Sequence, residues 1–429
     1  MTTPSSIESV GADGQTSRYS WFVLAMLTVV YTFNFIDRQI LVILQEPIKA
    51  ELGLSDSQLG LLTGFSFAVV YVTAGIPIAW LADRSNRKNI VAASLAIWSG
   101  MTALSGFVQN FTQLLLARLG VGLGEAGGSP PAHSIISDYF PPERRGTALS
   151  IYTAGIYVGI LLGYAGGGWI AQHLGWREAF FIIGIPGVLF AVLVALSIRE
   201  PIRGRWERVA PKASTLKDTL NALRQRPSFW WISLGCALTS FVSYGNGNFF
   251  PSYLIRSHDM SIAEVGAVLG LISGGGGIIG TFLGGYLSDV FGAKDRRWYL
   301  WIPMIGGVLS LAPALYSLLG EDRFWIVVSL FPTNVLSTMY LGACIATCQS
   351  LVAPSMRAMA SAVLFFVLNM IGLGLGPLMV GVLSDLYQPI FGDDNLRIAM
   401  LTTLTVGMGG LFCFWKAVQH LLNDLAKPQ

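Results

Sequence analysis

Charge is what this chain has least of. Only 12 % of its 429 residues are Asp, Glu, Lys or Arg, while 53 % are hydrophobic. An ordinary soluble domain carries about 25 % charged residues. With a mean hydropathy of +0.59, a water-soluble globular fold is excluded. Reactive side chains are equally sparse. There are four His and four Cys, and Cys236, Cys344, Cys348 and Cys413 all lie inside apolar stretches, with no metal-ligand spacing and no disulfide framework. No G-x-S-x-G, H-E-x-x-H or G-x-x-x-x-G-K-[ST] occurs, which disfavours a membrane-embedded enzyme and an ATP-driven pump. No cofactor, bound metal or nucleic-acid partner is expected. Residues 1–17 are polar and contain no basic leader, and the apolar run after them, about 25 residues, exceeds a cleavable signal core. It reads as a retained first transmembrane helix.

What is present is a succession of twelve apolar stretches, each long enough to cross a bilayer, which takes about 20 residues. Their limits are near 20–44, 58–81, 89–108, 112–138, 146–172, 179–198, 229–255, 262–288, 298–319, 323–352, 358–384 and 398–422. Basic residues fall unevenly between the loops. Eighteen lie on the N-terminal tail and the even loops, against five (Lys49, Arg177, Arg256, Arg323, Arg397) on the odd loops. By the positive-inside rule the even side and both termini are cytoplasmic. The halves repeat: Ala79-Trp-Leu-Ala-Asp83 ends the second stretch as Gly285-Tyr-Leu-Ser-Asp289 ends the eighth. Arg145-Gly-Thr-Ala opens the fifth as Arg357-Ala-Met-Ala opens the eleventh. The expected architecture is therefore an all-α membrane protein of twelve transmembrane helices in two pseudo-symmetric six-helix halves. The parts are a cytoplasmic tail (1–19), an N-terminal bundle (20–198), a linker with one amphipathic surface helix near 215–225 (199–228), and a C-terminal bundle with a short tail (229–429). Parallel six-helix halves joined this way are the plan of a rocking transporter.

Of 51 formally charged side chains, only Asp37, Arg38, Arg118 and Glu125 lie well inside apolar stretches. A charge at mid-bilayer costs about 2.5–3.5 kcal/mol on insertion scales, so such residues mark functional sites by default. Asp37 is seven residues from the outer end of the first stretch and Arg118 six residues into the fourth, about 10 and 9 Å deep. They can sit at one level. Glu125 follows two turns beyond Arg118 on nearly the same face. A guanidinium pairs bidentately with carboxylate or phosphate, which makes Arg118 the first choice for an anion ligand. The alternative is a structural ion pair. Arg38 points about 100° from Asp37, and its role stays open at this stage. Gly122-Leu-Gly-Glu-Ala-Gly127 spells G-x-G-x-x-G but sits in an apolar helix, so it reads as close packing. Pro130-Pro131 predicts a bend in the fourth helix. The seventh helix carries Tyr244-Gly-Asn246-Gly-Asn248 where the first carries Asn34 to Arg38, neutral amides in place of charges.

Ala79-Trp-Leu-Ala-Asp83-Arg84-Ser-Asn-Arg87-Lys88, Arg118-Leu-Gly-Val-Gly122, Gly155-x3-Gly159-x3-Gly163-x3-Gly167 and Gly175-Trp-Arg-x2-Phe180 resemble motifs of the major facilitator superfamily. Asn34-Phe-Ile-Asp37-Arg38, Gly122-Leu-Gly-Glu125-Ala and Pro142-Glu-Arg-Arg145-Gly-Thr-Ala look like the spinster family of lipid transporters within it. The resemblance implies the major facilitator fold, with the first and fourth helices bordering a central cavity. It implies a secondary transporter that moves an amphipathic anionic lipid, a lysophospholipid or phosphorylated sphingoid-like molecule, by alternating access. Proton coupling is expected at Asp37 and Arg38, and substrate binding at Arg118, Glu125, Asn34, Asn246 and Tyr340. By resemblance Asp83 and Arg87, with Arg84, Asp138 and the matching Asp289, form a cytoplasmic latch between the halves. The runner-up is a proton-linked carrier of small organic anions or drugs; from another class, a non-transporting receptor or scaffold. The expected partners are a small amphipathic or anionic substrate, protons and membrane lipid, with the protein monomeric in the plasma (inner) membrane.

Overall fold

A polypeptide in lipid must satisfy its backbone internally, and the helix is one of two ways to do so. The computed structural model describes residues 17–206 and 216–427, and it describes no strand among them. Residues 1–16 and 207–215, which hold most of the expected tail and part of the linker, lie outside the described residues, as does the side chain of Asp83. Among the described residues, twelve helical spans are found where the apolar stretches fall. Eight are continuous: Arg18–Ile43, Arg87–Ser105, Pro142–His173, Trp176–Ser197, Pro227–His258, Ile262–Gly292, Trp298–Leu319 and Asn395–Leu425. Several begin at side chains that accept a first-turn N–H, namely Ser17, Asn86, Asn110, Ser261 and Asp322. Eight helical stretches qualify as membrane-crossing by length and composition alone. This is a multi-pass membrane protein, helical throughout its spans.

The other four spans are interrupted. The fourth runs Phe111–Glu125 and then Ser129–Tyr139. The break is at 126–128, ahead of the prolines expected to cause it. Pro130 and Pro131 occupy the first turn of the second piece, where a missing N–H costs nothing. The tenth span breaks likewise, between Arg323–Ser337 and Tyr340–Ser350. The second span (56–84) and the eleventh (357–391) each contain a π-helical turn, Leu61–Phe65 and Asn369–Leu375. These two wide turns touch: a Cβ on Gly64 would lie 2.9 Å from the carbonyl oxygens of Leu373 and Gly374. Such turns are frequent at functional sites.

Close helix approach positions the first span. Gly155, Gly159, Gly163 and Gly167 of the fifth span face it, and a Cβ on Gly159 would lie 2.6 Å from the Thr32 carbonyl oxygen. The burial pattern divides the molecule along its length. At the end away from the linker one apolar core runs through both halves, joining Ile40, Leu59 and Leu62 to Phe249, Val265 and Val380. Nearer the linker the apolar core divides in two, with Leu373 of the eleventh span joining the first-half cluster. One is built around Trp98, Ile135 and Tyr152, the other around Phe229, Cys344 and Phe414. The short helix Leu216–Arg224, within the expected amphipathic segment, buries Thr219 and Leu223 and leaves Leu216 and Lys217 exposed.

Candidate functional site

The four deep charges converge. Asp37, Arg118 and Glu125 are each at most 2 % exposed. Arg38 reaches across to the fourth span, and its Nε donates to Glu125 Oε2 at 2.7 Å. Three aromatic rings hold the same guanidinium: Phe35 at 5.1 Å, Phe67 at 4.8 Å and Tyr71 at 5.2 Å, an arrangement favoured by the ring quadrupole. Arg38 therefore faces the fourth and second spans. Asn34, one turn before it, is buried beside the Glu125 carboxylate.

Asp37 and Arg118 are close enough to interact electrostatically, but no hydrogen bond joins them. The hydroxyl of Thr102, on the third span, bonds Asp37 Oδ1 instead. Arg118 Nε and Nη1 are buried with no hydrogen-bond partner, as are Asp37 Oδ2 and Glu125 Oε1. Arg118 also lies 5.9 Å from the Phe67 ring, so that ring is close to both guanidiniums. Two acids and two bases cancel in this cluster. Of its two cations, Arg38 is ion-paired through Nε and packed on three rings, while Arg118 has no ion-pair partner within hydrogen-bond distance.

A cavity of about 210 Å³ lies mainly in the second half, with Tyr164 of the fifth span on its wall, and does not include the charged cluster. Its wall contains no charged residue. Asn246 and Tyr340 line it, together with Ser243, Thr333, Asn334 and apolar groups such as Leu269 and Phe250. Asn246 is held by Thr403 Oγ1, which donates to its Oδ1 at 2.8 Å. Tyr340, at the break in the tenth span, shares a hydrogen bond of 2.6 Å with Ser240. The expected substrate residues thus fall into two groups: Asn34, Arg118 and Glu125 at the charges, Asn246 and Tyr340 at the neutral cavity.

A second charged assembly closes the end away from the linker, and sequence reading missed it. Arg256 of the seventh span donates to Glu46 (2.7 and 3.0 Å) and to Asp56 (2.7 and 2.8 Å) in the first half. Lys49 and Ser384 also donate to Asp56, each at 2.6 Å. Asp385, from the eleventh span, accepts the backbone N–H of Asp56 (3.0 Å) and Ser57 (2.8 Å), where the N-terminus of the second span favours a carboxylate. Nearby, hydrogen bonds from Arg177 and Trp176 hold the Glu51 carboxyl below its usual range. In sequence these are single charges in short loops. The one available signal was that isolated Arg256 and Lys49 sit on the side poor in basic residues.

The described latch residues, Arg84, Arg87, Asp138 and Asp289, bond within their own half or to the linker. Arg87 Nη1 donates to Asp138 at 2.5 Å and its Nε to Glu200 at 2.6 Å. Asp138 also accepts from Gly204 N at 3.0 Å. Arg84 stacks on its own helix neighbour Trp80 at 4.1 Å. Asp289 accepts from Tyr299 at 2.7 Å.

Known proteins resemble this chain along its length. A family model described as Major Facilitator Superfamily matches residues 27–377. An MFS-type efflux pump of Mycolicibacterium smegmatis is 36 % identical over 434 residues, covering 99 % of each chain. Protein spinster homolog 1 of Bos taurus is 29 % identical over 97 % of this chain and 84 % of its own. Among solved structures, a bacterial homolog to the human lysosomal transporter spinster, inward-facing and unoccupied, superposes with a TM-score of 0.87. It is 31 % identical and covers 97 % of this chain and 100 % of that one.

Proposed function

The chain belongs to the major facilitator superfamily and is a transporter, not an enzyme; on that premise we propose that it carries an amphipathic anionic lipid, a lysophospholipid or phosphorylated sphingoid-like molecule, by alternating access coupled to protons. One observation carries the reading: Arg118 is a buried guanidinium whose Nε and Nη1 have no partner. Leaving a buried charged donor unsatisfied is costly, and a phosphate or carboxylate meets that fork bidentately. Arg38 is unsuited to the task because Glu125 and three rings already hold it.

Charge balance supplies the coupling. With all four groups ionised the cluster is neutral. A proton on Asp37 leaves one uncompensated positive charge in a buried site, and an anion on Arg118 removes it. Proton and anion therefore favour each other's binding, and affinity for the anion rises as pH falls. The uncharged cavity lined by Asn246 and Tyr340 suits the apolar part of the same molecule. A bonded outer end and separate cores at the linker end fit an inward-facing arrangement, with both termini cytoplasmic, the protein monomeric and the plasma (inner) membrane its site. Reversal of the cycle would bring Asp83, Arg84, Arg87, Asp138 and Asp289 into latch contacts at the cytoplasmic end. A second reading, a proton-linked carrier of small organic anions or drugs, is favoured by the likeness to the efflux pump.

Binding assays on purified protein separate the two. Lysophosphatidylglycerol, whose phosphodiester keeps one negative charge, and a benzoate-type acid serve as probes. The lipid reading expects the first to bind and to lose affinity in Arg118→Lys. Binding of the small acid alone overturns the lipid assignment.

A further inference from the structure

The third span contributes a hydroxyl to the charged cluster that the charge argument does not use. Thr102 is 1 % exposed, and its Oγ1 touches two oxygens: Asp37 Oδ1 and, at 3.0 Å, the carbonyl of Trp98 one turn earlier. A hydroxyl has one proton to donate and two lone pairs to accept with. Two arrangements satisfy it. When Asp37 is ionised, Thr102 donates to the carboxylate, and the Trp98 carbonyl keeps only its own helix bond. When Asp37 carries a proton, the carboxyl O–H donates to Thr102 Oγ1, which turns its own proton to the Trp98 carbonyl. The Thr102 hydroxyl can therefore hold either form of Asp37 without moving a heavy atom.

We infer that Thr102 is the positioning residue for the exchanged proton: its reversible hydroxyl fixes Asp37 in one place through both protonation states. The inference rests on the proposal that Asp37 exchanges a proton, and it adds the group that makes the exchange possible in a buried site. The charged groups that face Asp37 are Arg118 and Glu125 from the fourth span and Arg38 from its own helix. None of them makes a hydrogen bond to Asp37 among the described contacts, so neither a fixed cation nor a second carboxylate takes the place of Thr102.

The two roles of the hydroxyl are unequal. A hydrogen bond to a charged group is worth more than one between neutral groups. Removing the hydroxyl therefore harms the ionised form more, and Asp37 in Thr102→Val should hold its proton to higher pH. The shift expected is about tenfold in proton concentration.

The test needs no substrate. Infrared spectra of the full-length protein in detergent are titrated with pH, and the protonated-carboxyl band of Asp37 is identified by its loss in Asp37→Asn. In Thr102→Val the band should move to higher frequency, as for a carboxyl without a partner, and its midpoint should rise by about tenfold in proton concentration. Thr102→Ser, which keeps the hydroxyl, should match the parent in both. Should Thr102→Val fail to fold, Thr102→Cys, with a thiol that is a weak donor and acceptor, carries the same expectation. An Asp37 band unmoved in Thr102→Val, or moved equally in Thr102→Ser, overturns the inference while leaving Asp37 as the proton site. No Asp37-dependent band at any pH overturns the underlying proposal, and the inference with it.

Discussion

At the scale of single residues, the difference between the two arginines of the cluster decides most. Arg38 is a clamped cation and Arg118 an open one, although both are Arg and both lie on helices bordering the same cluster. Replacing Arg118 by Lys keeps the charge but removes the planar fork, so binding of an anionic head group should weaken more than tenfold, by the strength of a charged hydrogen bond. Equal affinity in a direct binding assay would make Arg118 structural. Glu125→Ala has a different signature. It leaves the half-buried Arg38 without its counterion; breaking a fully buried pair costs about 3–5 kcal/mol, and the 19 % side-chain exposure of Arg38 lowers that cost. A clearly lower unfolding temperature in detergent is expected, and an unchanged one would mean that the three rings alone stabilise Arg38. The cluster was legible in the sequence because charges inside apolar runs stand out. Its pairing was not. Depth along a helix puts Asp37 and Arg118 at one level, but rotation and rotamer decide which groups bond. Here Arg38 took Glu125, and Asp37 took Thr102, an uncharged residue that nothing in the sequence singled out.

At the scale of elements, twelve apolar runs became twelve helical spans because length and apolarity determine a bilayer crossing with little help from packing. The interruptions were harder to read. Pro130-Pro131 drew attention to the fourth span, yet the break falls at Ala126-Gly-Gly128, directly after Glu125. The matching break in the tenth span carries no proline at all and precedes Tyr340. The first falls on a Gly-Gly pair, a local signal that the adjacent prolines overshadowed, and the second lies six residues beyond Pro332. The π-helical turns of the second and eleventh spans are a different case, since their widened backbone is stabilised where the halves meet. Gly64→Val should drive those turns apart, because its Cβ would already sit 2.9 Å from two carbonyl oxygens. The expected result is a wider spin-label distance across the outer end. Gly285→Ala is the control: nothing lies within 4 Å of its Cβ, and a helical Gly→Ala change stabilises by up to about 1 kcal/mol. Equal distances in Gly64→Val and the parent would show that the contact does not hold the halves together.

At the scale of the whole molecule, the end away from the linker joins the halves through ion pairs and a shared apolar core, and the linker end has two separate cores. Arg256 shares Glu46 and Asp56 between the halves, so it favours only the state in which those groups meet. Arg256→Gln should shift the population toward an outward-open form, read as longer distances at the outer end and shorter ones at the linker end. Unchanged distances would assign that closure to the apolar core alone. This closure was not legible in the sequence because its members lie some 200 to 330 positions apart (Asp56 with Arg256, |i−j| = 200, and with Ser384, |i−j| = 328), and only the folded pair of halves brings them together. The central claim joins all three scales: a neutral cluster of four buried charges admits a proton and an anion together. It is tested most directly by counting protons when ligand binds. Lysophosphatidylglycerol is titrated into weakly buffered parent protein and into Asp37→Asn, across pH, with proton uptake recorded. The account predicts uptake approaching about one proton per bound anion in the parent and none in Asp37→Asn. Binding without proton uptake at any pH, or equal uptake in both proteins, would contradict it.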